Sequence, residues 1–319
     1  MAQAPFVVQP HLTAIALAYR NQKLIADSVL PRVPVLSELF KWSKYQKEEG
    51  FTVPDTRVGR KSATNQIDWH ATEQTASTKD YGLEIPIPNK DIKDAKSVQA
   101  TQGVMPIDPV MRSTELLTDL IALDREVRTA NLVFNAASYP SANKTTLSGT
   151  SQWSDYSNSN PVDAMLRAMD TMIVRPNKIV LGRAVWTIIR QHPKLVNAFY
   201  GVVANAGTIA TNYLAEILEV DEVIVGEGFV NTAKKGQSPN LVRVWGKHCA
   251  MLYQPPVIES AEGTLCFGFT GQWGQRVAGT IDNDPDIGLY GGTRVRVGES
   301  VAEVVAASDV GYFFQNAVA

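Results

Sequence analysis

Cysteine is nearly missing from this chain of 319 residues: Cys249 and Cys266 are the only two. Both sit in apolar, strand-like runs (HCAMLY and TLCFGF), where buried free thiols are expected rather than a bridge, as in proteins folded in reducing cytosol. Histidine is scarce as well. His11, His70, His192 and His248 stand far apart, without HExxH or another metal-ligand spacing, and each reads as a surface or capping residue. Charge of one sign is also lacking. Lys plus Arg is 30 against 32 Asp plus Glu, a formal net charge of -2, so no global field draws the chain to nucleic acid or to an anionic membrane. No window approaches the roughly 20 apolar residues of a membrane span, and the N-terminus MAQAPFVVQPHL has no basic region followed by a full apolar core. Synthesis in the cytoplasm, with no membrane partner, is the expectation.

Catalytic signatures are missing too. No GxSxG is present, and neither cysteine has a base that the sequence shows to be poised for it. GEGFVN, from Gly226, follows a strand and matches the first two glycines of a dinucleotide loop, but Asn231 replaces the third and no amphipathic helix follows, so a turn is expected. Asp282, Asp284 and Asp286 have the one-three-five spacing of a calcium loop, yet Ile287 stands where Gly is needed and Thr293 where Glu is needed; a solvated acidic turn is the better reading. No catalytic, cofactor-binding or metal-ligating residue is nominated, and no cofactor is expected.

What is present is a globular composition, 45% hydrophobic and 19% charged, enough for one large domain or two modest ones. Residues 1–40 form an arm with a short helix expected within Leu12 to Leu30, before Pro31 and Pro34 force an extended exit. Residues 41–90 read as strand-forming, with Ile67 and Trp69 alternating on one side of a strand and an outgoing leg from Tyr81 to Ile87. Aromatic and β-branched residues are thinly spaced there among charges, Thr, Ser and Gln, so a long two-stranded arm of this composition is marginal alone and needs a partner, most simply another copy of the chain.

Asp108-Pro109 supplies a capping carboxylate and a proline at the first helical position. From there Leu116, Leu120, Leu123, Val127, Ala130 and Phe134 follow at alternating steps of four and three, which predicts one apolar stripe along a helix over 108–135, a rod of roughly 40 Å. A Ser/Thr/Asn/Gly-rich stretch marks a boundary over 138–160. A second helix starts at Asn160-Pro161 with Val162, Met165, Leu166, Met169 and Ile173 on its inner face. Strand, helix, helix and strand follow through Val225, the alternation of an α/β domain. After Pro239 the pattern turns to β, and the tail from Val301 to Phe314 is apolar enough to return to a core.

In order and in local phrases (RPNKIVLGRAVWTIIRQHPKLV, AEILEVDEVIVGEGFVNTAKKG and WGKHCAMLYQPP), the chain from about Leu12 onward resembles a tailed-bacteriophage major capsid protein of the Hong Kong 97-type fold. The resemblance implies an α+β fold with an N-terminal arm (1–40), an extended β-hairpin loop (41–90), a peripheral domain with the spine helix (91–160, helix 108–135), an α/β axial domain (161–282) and a return to the peripheral domain (283–319). It implies pentamers and hexamers of one chain tiling an icosahedral shell around double-stranded DNA, in a virion, with a portal and room for a decoration protein outside. Because the arm starts almost at Met1, a separate scaffolding protein is expected rather than a fused, cleaved one. The same fold builds encapsulin nanocompartments, which would hold an enzyme cargo instead, and a soluble α/β enzyme is the reading from a different class.

The loop carries the candidate contacts. Between Lys41 and Lys61, six cations face three carboxylates, a local excess of +3. Arg57, Arg60, Lys61 and Trp69 are the candidate inter-subunit residues, with Arg57 and Arg60 expected to meet carboxylates of a neighbouring copy. DNA on the inner face is expected to be held without sequence preference, mostly by confinement.

Overall fold

The computed structural model describes residues 7–8, 24–45, 50–68, 70–102, 108–200, 207–255 and 265–319. In chain order its strands are β1 (Val7–Val8), β2 (Arg32–Val35), β3 (Leu39–Tyr45), β4 (Ala71–Ser77), β5 (Lys79–Pro88), β6 (Lys144–Thr146), β7 (Lys178–Gly182), β8 (Glu222–Gly226), β9 (Phe229–Asn231), β10 (Leu241–Arg243), β11 (Cys249–Leu252), β12 (Gly268–Asp284), β13 (Gly292–Val305) and β14 (Gly311–Gln315). Its α-helices are α1 (Ala26–Val29), α2 (Asn89–Gln102), α3 (Pro109–Val133), α4 (Pro161–Thr171), α5 (Arg183–Ile189), α6 (Pro193–Tyr200) and α7 (Thr211–Leu218). The helix expected within Leu12 to Leu30 is seen only as α1; residues 9–23 lie outside the described residues.

The first sheet runs β1-β12-β13-β5, with β2 parallel to another stretch of β12. The long helix α3 lies on it, burying Leu117 and Ile121 against Ile87, Ala278, Val295 and Val297. Its start is as Asp-Pro implies: the Asp108 carboxylate accepts the Val110 N–H at 2.9 Å. Its buried face, however, is not the stripe expected from the leucine spacing. Leu116 and Leu120 are 47% and 51% exposed, and Leu123 and Val127 are half-buried. The face laid on the sheet instead carries Thr114, Leu117, Thr118 and Ile121. Threonines can be buried there because the hydroxyls of Thr114 and Thr118 donate to the carbonyls of Val110 and Thr114, four residues back, at 2.9 and 2.7 Å. Hydropathy spacing does not register such self-satisfied hydroxyls.

The second sheet has the order β6-β14-β11-β7-β8. Along β11, Cys249 and Met251 face a core shared with Met165, Trp186, Leu195 and Leu214 of helices α4 to α7, whereas Ala250 and Leu252 face a second core with Val133 and Trp245. Both faces being covered explains the unbroken apolar runs IVL and CAML, since successive side chains point to opposite sides.

Strand pairing also differs from the boundaries expected near 282. Gly268–Asp284 belongs to the first sheet, paired along its length with β13, because the two are joined by a short turn and form one hairpin. Gly311–Gln315 crosses to the second sheet, where it pairs with β11 and β6.

In the loop region, β3 and β4 form a ladder of their own, from Leu39↔Ser77 to Tyr45↔Ala71. Ile67 is exposed in a segment without strand structure, since the ladder ends where β3 ends. The outgoing leg does not stand out with the loop. β5 pairs over ten residues with β13 of the first sheet. The hairpin base is also at home in its own chain, with Phe40 and Trp42 packed on Val33, Cys266 and Phe269. The distal segment 50–68 is exposed throughout, and most of β4 is exposed as well.

Candidate interaction surfaces

Two kinds of feature are available to carry function: a charged junction between the sheets, and exposed segments that the described residues do not cover. The junction is centred on Arg125 and Glu126 of α3. Glu126 is fully buried and accepts the N–H of Ile25 at 2.9 Å, the N–H of Ala26 at 2.7 Å and the indole N–H of Trp245. Arg125 pairs with Asp27 and donates to the carbonyl of Leu30 and the hydroxyl of Thr270, each at 3.1 Å. Residues 25–30 are thus gripped at their first N–H groups by a carboxylate and at their last carbonyl by a guanidinium.

Burial pushes the Glu126 carboxyl above its ordinary value, against the opposing effect of its N–H donors. Burial would also raise Asp27, but the charges of Arg125 and Arg32 outweigh it and hold that carboxyl down at about 2. Glu299, with no side-chain exposure, is lowered in the same manner by Arg32 and Arg276, which it meets at 2.9 and 2.8 Å. Sequence spacing did not nominate any of these residues. Their one signal is Arg125-Glu126 interrupting the face that continues Leu117 and Ile121.

Elsewhere, polar side chains found together are structural. The Ser159 hydroxyl donates to the Asp155 carbonyl at 2.7 Å and lies 3.1 Å from His192 Nε2. With that proton already spent, the imidazole must donate to the serine, so the pair is not an activated nucleophile. The carboxylate of Asp284 is engaged by Arg294 and by the N–H of Asp286, and among the described residues no group of three or more His, Cys, Asp or Glu could hold a metal ion. Cys249 and Cys266 are free and buried in separate cores. The glycines of GEGF serve packing: a Cβ on Gly226 would stand 2.1 Å from the Trp245 ring.

The exposed candidates are Arg57, Arg60 and Lys61, which lie in the bare segment 50–68 together with Phe51, Val53, Val58 and Ile67. The local order here is slight: the Arg57 N–H donates to the Asp55 carboxylate at 3.0 Å, and Ser62 N–H closes a turn on the Gly59 carbonyl at 3.1 Å. Trp69 lies outside the described residues. Further apolar side chains open to solvent are Leu116 and Leu120 on α3, Leu289 and Tyr290 at the β12–β13 turn, and Phe229, Leu241 and Val242 on β9 and β10. Among the described residues, no helix is long and apolar enough to cross a membrane. Clustered apolar side chains left open to solvent, as Phe51, Val53 and Val58 are in segment 50–68, are a feature of protein–protein contact surfaces.

Comparison with known proteins agrees with that chemistry. No protein-family model matches the chain. It is 51% identical over 319 residues, all of both chains, to the major capsid protein of Pseudomonas phage JBD67. A phage-related protein of Bordetella bronchiseptica RB50 has a crystal structure that superposes with a TM-score of 0.74 at 25% identity, covering 99% of this chain and 98% of that one. The capsid structure of cyanophage P-SCSP1u superposes with a TM-score of 0.60 at 10% identity, over 99% and 92% of the two chains, a likeness of fold.

Proposed function

The chain belongs to the phage major capsid proteins, with the Hong Kong 97-type fold, and on that premise we propose that its copies close into pentamers and hexamers that tile an icosahedral shell around double-stranded DNA. The full-length identity to a phage capsid protein carries the reading. The physical support is the bare segment 50–68, whose apolar and cationic side chains have no cover among the described residues. Each ring contact is head-to-tail, and rotation closes it.

In this reading the first sheet with α3 is the peripheral domain, the second sheet with α4 to α7 is the axial domain, and the β3–β4 hairpin with residues 50–68 is the extended loop. Arg57, Arg60, Lys61 and Trp69 contact a neighbouring copy through that loop. DNA is confined rather than read, in keeping with a net charge of -2, and a separate scaffolding protein and a portal are its partners in assembly. The chain is made in the host cytoplasm and ends in the virion, with no catalytic duty.

Negative-stain microscopy of the full chain expressed with the other head genes of its phage tests the reading, together with nuclease-protected nucleic acid in the purified particles. Closed particles holding DNA are expected. A monomer or small oligomer under those conditions, or particles filled with a cargo protein, overturns it.

A further inference from the structure

β9 and β10 pair with each other, from Phe229↔Arg243 to Asn231↔Leu241, and with no other strand of the described residues. They form a finger on the second sheet's edge strand, β8, which ends two residues before β9 begins. Its neck is closed by the Val244 N–H on the Gly228 carbonyl at 3.0 Å. Its tip is held by the Asn231 side-chain oxygen, which accepts the N–H groups of Ala233 and Asn240 at 3.1 and 2.9 Å. The finger is therefore shaped in advance. Yet Phe229, Leu241 and Val242 are 48%, 64% and 44% exposed, and a two-stranded ribbon of this size is marginal in water without cover.

Its chemistry is cationic as well as apolar. The Arg243 guanidinium lies over the Phe229 ring, 4.4 Å from the centroid, and Lys234 and Lys235 are exposed at the tip. An aromatic stacked with arginine and rimmed by lysine is the composition of an interface anchor facing a negative surface. At the other end of β8 the chain presents such a surface: Glu216, Glu219, Asp221 and Glu222 are all exposed. Two cations answer them, Arg175 on Glu219 at 3.1 Å and Lys178 on Glu222 at 3.6 Å, so an acidic excess remains. The strand between corner and finger is roughly 16 Å long, which holds a finger away from the corner of its own chain.

We propose that the finger of one copy docks on the acidic corner of the next copy in the ring. The contact rests on the capsid reading above. It pairs unlike surfaces head-to-tail, as a closing ring requires.

Two experiments on the full chain expressed with the other head genes test it. Lys235→Cys combined with Asp221→Cys, treated with a short bis-maleimide, should give a covalent ladder ending at five and six copies; both positions are exposed, and the native cysteines are buried and do not compete. Lys234→Glu with Lys235→Glu should lower the particle yield about tenfold, and adding Glu216→Lys with Asp221→Lys should restore it. Particles that show no cross-linking beyond the single-cysteine controls, a ladder that stops at dimers, or an undiminished yield after charge reversal overturns the contact and leaves the capsid reading standing. Absence of particles from the unsubstituted chain overturns both.

Discussion

The Glu126 carboxylate of the long helix accepts the indole N–H of Trp245, which sits on the far side of the boundary between the helix and the second sheet. The same carboxylate holds the N–H groups of Ile25 and Ala26, so one side chain ties three segments together. Replacing it by alanine would strand three N–H donors, two of them buried, and remove one negative charge beside Arg125, which keeps Asp27 and Glu303 as partners. Glu126→Ala should cost about 3–5 kcal/mol of stability, the range for breaking a buried charged network. Denaturant unfolding of the isolated chain measures it, and hydrogen exchange should show residues 25–30 opening first.

How much of this was legible in the sequence follows from the kind of interaction involved. The cap at Asp108-Pro109 was readable because it is local: one carboxylate, one proline, one N–H. The α/β alternation and both buried thiols were readable because short unbroken apolar runs report strands covered on both faces. The face of α3 was not readable, because Leu116 and Leu120 spell a stronger helical stripe than Thr114, Leu117, Thr118 and Ile121, and the threonines become acceptable in a core only once their hydroxyls bond to the helix backbone. The crossing of Gly311–Gln315 into the second sheet depends on partners more than fifty residues away in β11, which no local window contains. Arg57, Arg60 and Lys61 were nominated from charge alone. The structure places them in the exposed segment 50–68; a contact with a neighbouring copy is proposed for them.

A close approach explains the glycine that ends β8. A Cβ at Gly226 would lie 2.1, 2.2 and 2.7 Å from Cδ1, Cγ and Cβ of Trp245. That ring cannot swing aside: it is fully buried, bonded to Glu126 and packed edge-on against Phe134 at 5.1 Å. Gly226→Ala should therefore destabilise the chain by about 3 kcal/mol, at the upper end of overpacking costs. Gly50→Ala, with nothing within 4 Å of its added carbon, is the matched control and should leave the unfolding midpoint unchanged.

His192 gives stability a pH dependence of definite sign. Burial, with the charge of Lys194 adding to it, lowers its value from 6.5 to about 4. The unfolded chain therefore binds this proton more readily than the folded one. The contribution is fully present above about pH 6.5 and is lost as pH falls toward 4, up to about 3 kcal/mol. The neighbouring groups are the Ser159 hydroxyl, the Tyr156 ring and Lys194, whose ammonium donates to the Ser159 carbonyl. Glu126, raised by burial, has the opposite sign and gains as pH falls, so the comparison must be between variants. His192→Gln should flatten the stability profile between pH 6.5 and 4 relative to the unsubstituted chain; an equally steep profile in both would exclude His192 as its source.

The cysteines should be chemically silent in the folded chain. Burial pushes the Cys266 thiol up to about 11 and the Cys249 thiol further, and the thiolate is the reactive form. Ellman's reagent should label neither at neutral pH in the native protein and both once denaturant is added. Rapid labelling of one native thiol would mean that its core opens without global unfolding.

The contact proposed for Arg57 and Arg60 can be tested without disturbing the fold. Their side chains lie in a segment whose described residues are all exposed, and the local bonds beside them, the Arg57 N–H on the Asp55 carboxylate and the Ser62 N–H on the Gly59 carbonyl, use backbone groups that substitution leaves intact. Arg57→Glu with Arg60→Glu should thus leave the thermal midpoint of the unassembled chain where it was. In the shell the two reversals act together: exposed ion pairs contribute about 1 kcal/mol or less each, and losing two of them raises the concentration needed for assembly about tenfold. Like charges would then also face the carboxylates of the neighbouring copy, which penalises the correct register. Sedimentation of particles from the doubly substituted chain, with negative-stain counting of closed shells, measures the effect. Normal closed particles in normal amount would show that these arginines point to solvent and not to a neighbour.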